Sequence, residues 1–215
     1  MTRNAIVDAL GVLKAGRIVD LTHLVHPGIQ RFGPFPAMRI ETRYTVAESG
    51  FHVEQVSFVT HYGTHVDAPE HFVEGRRTLE RIELEELMLP LFVLHFEDKV
   101  AADLEFIVHV DDIDADGVAH CPGWGLDALK YLFEERGVTA VGHETLDTDG
   151  SADVRARGFL DCEKYVLESD HYQVEVMANL DKLPSTGGVI FVGLPKFDKF
   201  PGFPACAWAV VPNED

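Results

Sequence analysis

The stretch HYGTHVDAPEHF, residues 61–72, admits very few backbone paths. A helix would bring His61 and His65 together, four residues apart, but Gly63, Thr64 and Pro69 all disfavour one. A straight strand would hold the two imidazoles ~13 Å apart, at ~3.3 Å per residue, too far to share an ion. The remaining path is a strand end that bends at Gly63, where glycine tolerates positive φ or a close approach, and turns again at Pro69. His65 and Asp67 then point to the same side of the strand. A segment bent in this way gathers three histidines and an aspartate.

Imidazole and carboxylate donors together suit Zn²⁺ or Mn²⁺, whereas sites for Mg²⁺ or Ca²⁺ are typically all oxygen. Three protein ligands leave an open position, where bound water reaches a pKa of ~7 and becomes a nucleophile at neutral pH. The competing reading is a surface loop whose histidines are satisfied separately. It requires the glycine and the proline to fall by chance where the bends are needed.

Around this segment the chain alternates between strand and helix patterns. Residues 38–46 place Met38, Ile40, Tyr44 and Val46 on one face and Arg39, Glu41 and Arg43 on the other, as in a half-exposed strand. IVDLTHL (18–24), VEQVSFV (53–59) and ACAWAVV (205–211) read as further strands. LFVLHF (91–96), VTAVG (138–142) and VIFVGL (189–194) read as strands buried on both faces. Residues 125–136 put Leu126, Leu129 and Phe133 on one helical stripe, with Gly137 as C-cap. Residues 160–169 also read as a helix, and 79–88 do so less regularly, with ERIELEEL as a solvated face. These patterns predict an α/β fold, a single domain over residues 1–215 with a mixed β-sheet flanked by helices.

Charge and composition exclude several functions. The chain carries 18 basic and 36 acidic residues, a formal net charge of −18, which repels phosphate backbones and anionic lipid surfaces, so no nucleic-acid or membrane partner is expected. No apolar run approaches the ~20 residues of a membrane helix. Asp8 interrupts the apolar part of the N-terminal segment and no small-residue cleavage site follows, so the segment is read as an amphipathic helix (Ile6, Leu10, Leu13) and not as a signal peptide. Cys121, Cys162 and Cys206 form no CxxC pair and are read as reduced thiols of a cytoplasmic protein. A G-x-S-x-G elbow, a Walker loop and a dinucleotide fingerprint are all lacking, so serine hydrolase, NTPase and dehydrogenase readings have no support.

His61-Tyr-Gly-Thr-His-Val-Asp-Ala-Pro-Glu-His71 resembles the H-x-G-T-H-x-D-x-P-x-H signature of the cyclase-like metal-dependent hydrolases, the family of bacterial kynurenine formamidase and isatin hydrolase. IVDLTHLVHPGI resembles that family's opening strand and turn, and Glu175-Val-Met-Ala-Asn-Leu-Asp-Lys-Leu-Pro184 its E-x-L-x-N-L-D-x-L segment. Gly193-Leu-Pro195 and Gly202-Phe-Pro204 fall where the family's closing strands lie. The resemblance implies hydrolysis of an N-formyl or cyclic amide substrate by a homodimer or homotetramer. It also implies that His61, His65 and Asp67 hold the main metal, with Asp67 able to bridge to a second ion. His71 is then a ligand of that ion or the acid/base, and Glu175 completes the site as a catalytic or ligating carboxylate.

Two departures from the family pattern carry consequences. Formamidases of the family place a histidine about one helix before the glutamate, where this chain has Cys162-Glu163. Glu163 as a harder ligand predicts one tightly held Zn²⁺ or Mn²⁺ ion and a weak second one. Relatives also carry a helix and a buried strand between segments like VDDI (110–113) and DADGVAHCPGW (114–124), which abut here, so one internal strand-helix segment is expected to be missing.

Further residues are expected at the substrate. His143 and Glu144 follow a predicted strand at the end where α/β folds gather ligands. Phe35, with Phe32 and Phe51, is placed to wall an aromatic substrate, and His120 and Trp124 to border the site. His171 is read as a surface residue. The alternative functions are a metal-binding family member without activity and a metal-assisted cyclase or dehydratase.

Overall fold

A computed structural model describes residues 4–32, 34–103, 106–108 and 123–213. Twelve strands are seen among these residues: β1 (Arg17–Asp20), β2 (Arg39–Tyr44), β3 (Val53–Ser57), β4 (His65–Asp67), β5 (Met88–Leu91), β6 (Ile107–Val108), β7 (Gly123–Trp124), β8 (Ala140–Gly142), β9 (Tyr172–Glu175), β10 (Gly188–Gly193), β11 (Gly202–Pro204) and β12 (Cys206–Val211). The predicted α/β class holds, but the strands are divided between two four-stranded sheets. The order β1-β12-β10-β5 is antiparallel throughout. The order β11-β4-β9-β8 is mixed, because β8 runs parallel to β9. Strands β2 and β3 form a separate two-stranded ribbon, and β6 and β7 a short parallel pair.

One buried cluster draws on both large sheets, with Val19, Val192, Ala207 and Ala209 from the first and Val66, Tyr172 and Val174 from the second. Alternation along the strands then decides what the second sheet shows on its other face. Val66, Tyr172 and Val174 go to the core, so His65, Asp67, Gln173 and Glu175 go to the opposite side together. A second cluster packs Leu129 and Phe133 with Cys162, Val166 and Leu167 of the helix Asp161–Glu168, and includes Val141 of β8.

Several expectations need correction. The strand expected at 91–96 lies earlier, at Met88–Leu91, on an edge of its sheet, and Phe92 is exposed. An apolar run shows that a segment is buried somewhere but not where its hydrogen bonds begin. The helix expected over 79–88 is two 3-10 turns, Leu79–Arg81 and Leu84–Leu87, separated by extended backbone at Ile82 and Glu83. Residues 39–44 are exposed on both faces, because the ribbon stands away from both sheets. The helix at 125–136 is α-helical over Leu126–Lys130 and continues as a π-turn over Tyr131–Glu135 before Gly137, whose φ is +68°. The N-terminal helix, Ala5–Ala15, buries no residue. His171 is half-buried, with its ring stacked on Phe133. Cys121, His120 and most of the junction between 110 and 124 lie outside the described residues, as does the reading of a missing segment there. Among the described residues, no helix is long and apolar enough to cross a membrane.

Candidate metal centre

The backbone path deduced for residues 61–72 is the one observed. Gly63 has φ +65°, and a Cβ there would meet Ile29 Cδ1 at 2.6 Å, so the bend depends on glycine. It brings the His61 and His65 rings to 5.3 Å between centroids and leads into β4. After Asp67 the chain turns through the 3-10 segment Pro69–His71, which stacks His71 on His61 at 4.0 Å. Glu175 arrives from β9, whose register places it opposite His65. Glu163 comes from the first turn of the helix Asp161–Glu168, where Asp149 accepts the backbone N–H groups of Cys162 and Glu163, each at 2.9 Å.

The donor atoms form two overlapping groups, His61–Asp67–His71 and His65–Asp67–Glu175, within each of which all donors lie within 4.8 Å of one another. Asp67 belongs to both. Its Oδ1 is 3.2 Å from His61 Nε2 and 3.4 Å from His65 Nε2, and Glu175 Oε2 is 3.6 Å from His65 Nε2. His65 Nδ1 donates to the Gly63 carbonyl at 2.8 Å, which leaves its Nε2 lone pair facing the carboxylates. His61 Nε2 and Asp67 Oδ1 are buried and have no hydrogen-bond partner among the described residues. Buried polar atoms left in this way are costly, and a ring nitrogen facing a carboxylate oxygen suits a shared cation.

The electrostatics agree. Burial alone would raise the Asp67 carboxyl, but the imidazoles of His65, His61 and His71 hold it well below the usual carboxylate range. Burial, and then the Asp67 charge, push Glu163 and Glu175 well above theirs. Burial lowers His71 to about 4 and also lowers His65. Three buried carboxylates this close together are relieved by a positive charge among them, and a divalent cation is the largest such charge available to a protein site. The donor set therefore fits a divalent metal.

A cavity of about 260 Å³ opens onto these groups, lined by His61, His65, His71, Glu163 and Glu175 together with Arg31, Phe32, Phe35, Phe72 and Leu160. Phe35 thus lines the same cavity as the donors. Phe51 instead packs on Tyr44 next to the ribbon. Glu144 lies away from this cavity, because its Oε1 accepts from the Leu180 N–H at 3.0 Å. His143 is buried behind the donors, with Nε2 3.8 Å from Glu175 Oε1. Both residues, with Trp124, line a separate apolar cavity of about 760 Å³.

Val176, next to Glu175, has φ +52°, a left-handed conformation rare for a β-branched residue. It is held there by Thr64, the threonine of the histidine stretch, whose hydroxyl donates to the Val176 carbonyl at 2.6 Å and accepts the His23 N–H at 2.9 Å. Sequence reasoning missed this role of Thr64, and it missed Asp149, Thr148 and Gln173 altogether. None of these three residues belongs to a motif, and each has a partner 13 or more positions away, Cys162 for Asp149, Gln173 for Thr148 and Asp67 for Gln173.

Residues 19–120 match the family model described as a putative cyclase. Isatin hydrolase of Roseibium aggregatum is 24% identical over an alignment covering 71% of this chain and 72% of that protein. Kynurenine formamidase of Geobacillus thermodenitrificans is 36% identical over 72 residues, about a third of each chain. The solved structure of isatin hydrolase A from Labrenzia aggregata superposes with a TM-score of 0.86 at 24% identity, covering 99% of this chain and 100% of that one. The chain therefore shares the fold of isatin hydrolase A, and the two relatives named are hydrolases.

Proposed function

With the resemblance to the cyclase-like metal hydrolases as premise, we propose that this chain is a metal-dependent hydrolase of C–N bonds in N-formyl amides or cyclic amides. The observation that carries the reading is the pair of donor groups sharing Asp67, beside a cavity that Phe32, Phe35 and Phe72 also line. His61, His65, Asp67 and Glu175 are the residues proposed to hold a tightly bound Zn²⁺ or Mn²⁺. His71 and Glu163, whose Nε2 and Oε1 are 3.7 Å apart, offer a second, weaker position. When bound, the cation supplies Lewis acidity towards a carbonyl oxygen and acidifies a water.

The chain's own residues supply the rest. Phe32, Phe35 and Phe72 receive an aromatic or otherwise flat substrate and exclude bulk water from the reacting bond. The His71 side chain is 30% exposed, more than those of the other donors, and it reaches the cavity. When no ion occupies the second position, His71, kept neutral by burial, accepts a proton at Nε2 and returns it to the leaving amine. Glu175 neighbours the same donors and accepts a proton or a metal bond at Oε2.

The assembly is proposed to be a homodimer or homotetramer. Its support is the exposed apolar surface of the ribbon and of the N-terminal helix, including Ile40, Val56, Ile6 and Val12. The function is tested by loading the purified chain with Zn²⁺ or Mn²⁺ and assaying isatin and N-formylkynurenine. Metal-dependent turnover of either supports the reading. Stoichiometric metal binding with no turnover across a panel of amides and lactams would point instead to a binding protein of this fold.

A further inference from the structure

Gln173 is wholly buried on β9, in register opposite Asp67 of β4. Its side-chain nitrogen donates twice, to Asp67 Oδ2 at 3.0 Å and to Glu175 Oε1 at 2.9 Å. A carboxylate that ligates a metal is ionised and only accepts, so the amide nitrogen is the end suited to face both groups. The amide oxygen then faces Thr148, whose hydroxyl donates to it at 2.8 Å. With its one proton committed, Thr148 Oγ1 accepts from His143 Nε2 at 3.0 Å. His143 thus meets Thr148 through Nε2, while its Nδ1 lies 2.8 Å from the Thr145 hydroxyl and 3.3 Å from the Thr145 carbonyl. From His143 Nε2 through Thr148 to the Gln173 amide, each step runs towards the carboxylates. Thr148 and Gln173 are fully inaccessible and His143 is nearly so, so no water competes for these bonds.

The consequence falls on the two carboxylates. Asp67 and Glu175 each have one oxygen committed to Gln173. Only Asp67 Oδ1 and Glu175 Oε2 are left towards His61 and His65. Resting on the metal-centre reading above, we infer that Gln173 is a positioning residue that makes Asp67 and Glu175 one-oxygen donors, and that Thr148 and His143 lock its amide against rotation. Limiting each carboxylate to one oxygen keeps the number of protein donors low and leaves positions on an ion free for water and substrate. Rotation of the amide would turn its oxygen onto two carboxylates, which the Thr148 hydroxyl prevents. His143 thus acts on the site from behind β9 and not as a wall of the substrate cavity.

The test is Co²⁺ loading of the dialysed full-length chain, read by visible absorption, which is intense for four-coordinate and weak for six-coordinate Co²⁺, together with Zn²⁺ affinity by chelator competition. Gln173→Met removes both amide donors at similar length, and frees the carboxylates to bind through two oxygens. Its Co²⁺ absorption is expected to weaken, and its Zn²⁺ affinity to fall by about 10–100-fold, the usual effect of losing a group that orients a ligand. Thr148→Val is nearly isosteric and removes only the lock. It should change the spectrum in the same direction by less, and Thr148→Ser should restore it. If Gln173→Met does not fold, Thr148→Val and its serine rescue carry the test alone. Wild-type loading with unchanged spectrum and affinity in the folded variants overturns the positioning role and leaves the metal centre standing. Failure of the wild type to bind Co²⁺ or Zn²⁺ overturns the metal centre, and this inference with it.

Discussion

Gly202 lies against the imidazole ring of His61, with no room between them for a methyl group. A Cβ built on Gly202 would overlap the ring, coming within 2.8 Å of Cδ2. The contact is set by the pairing of β11 with β4, which puts Gly202 opposite Asp67. Gly202→Ala should therefore push His61 out of line with Asp67 and lower Zn²⁺ affinity by roughly tenfold or more. Combined with His61→Ala it should cost nothing further, because the ring it displaces is gone. Chelator competition on the two single variants and the double variant measures this. Additive losses would contradict the packing role.

Thr64 joins three segments through one hydroxyl. Thr64→Val should strand the His23 N–H and the Val176 carbonyl, both of which it serves at a fully buried position. The expected loss is about 2–4 kcal/mol of unfolding free energy by urea titration. Thr64→Ser should recover most of it. A valine variant as stable as wild type would show that Val176 keeps its positive φ without this support.

By the resemblance read from the sequence, Cys162-Glu163 falls where formamidases of the family have histidine. Glu163→His adds a softer donor 3.7 Å or so from His71, and should raise the retention of a second Zn²⁺ through dialysis. Elemental analysis before and after dialysis reads the effect. A wild-type chain that already keeps two zinc ions would show that glutamate serves equally well.

Assembly is testable on the ribbon. Ile40 and Val56 are register partners, 50% and 51% exposed. Light scattering at micromolar concentration should give a dimer or tetramer, and Ile40→Lys with Val56→Lys should shift it towards monomer. A monodisperse wild-type monomer would contradict the proposed assembly.

The bend through Gly63 was legible because its cause is local: glycine and proline restrict the backbone, and four donors fall within eleven positions. Glu175 was harder to place. Alternation about Val174 permits an exposed glutamate equally well, and only the packing of β9 between β4 and β8 makes it buried. Gln173 and Thr148 could not be found from the sequence, since their roles depend on the register of β4 with β9 and on a loop 25 residues away. The strand expected at 91–96 was displaced for the opposite reason. Its apolar residues are real, but hydrophobicity is not specific to hydrogen-bonded pairing, and Val93 bonds to the Ser185 carbonyl outside any ladder.

The central claim is that His61, His65, Asp67 and Glu175 hold a divalent metal, and the metal content of purified, dialysed protein tests it most directly. Wild type should retain about one Zn or Mn per chain. His65→Ala removes an imidazole whose Nε2 faces both Asp67 and Glu175, and should lose that ion while remaining folded. A wild-type chain free of metal after Zn²⁺ or Mn²⁺ loading, or a His65→Ala variant with unchanged content, would contradict the assignment.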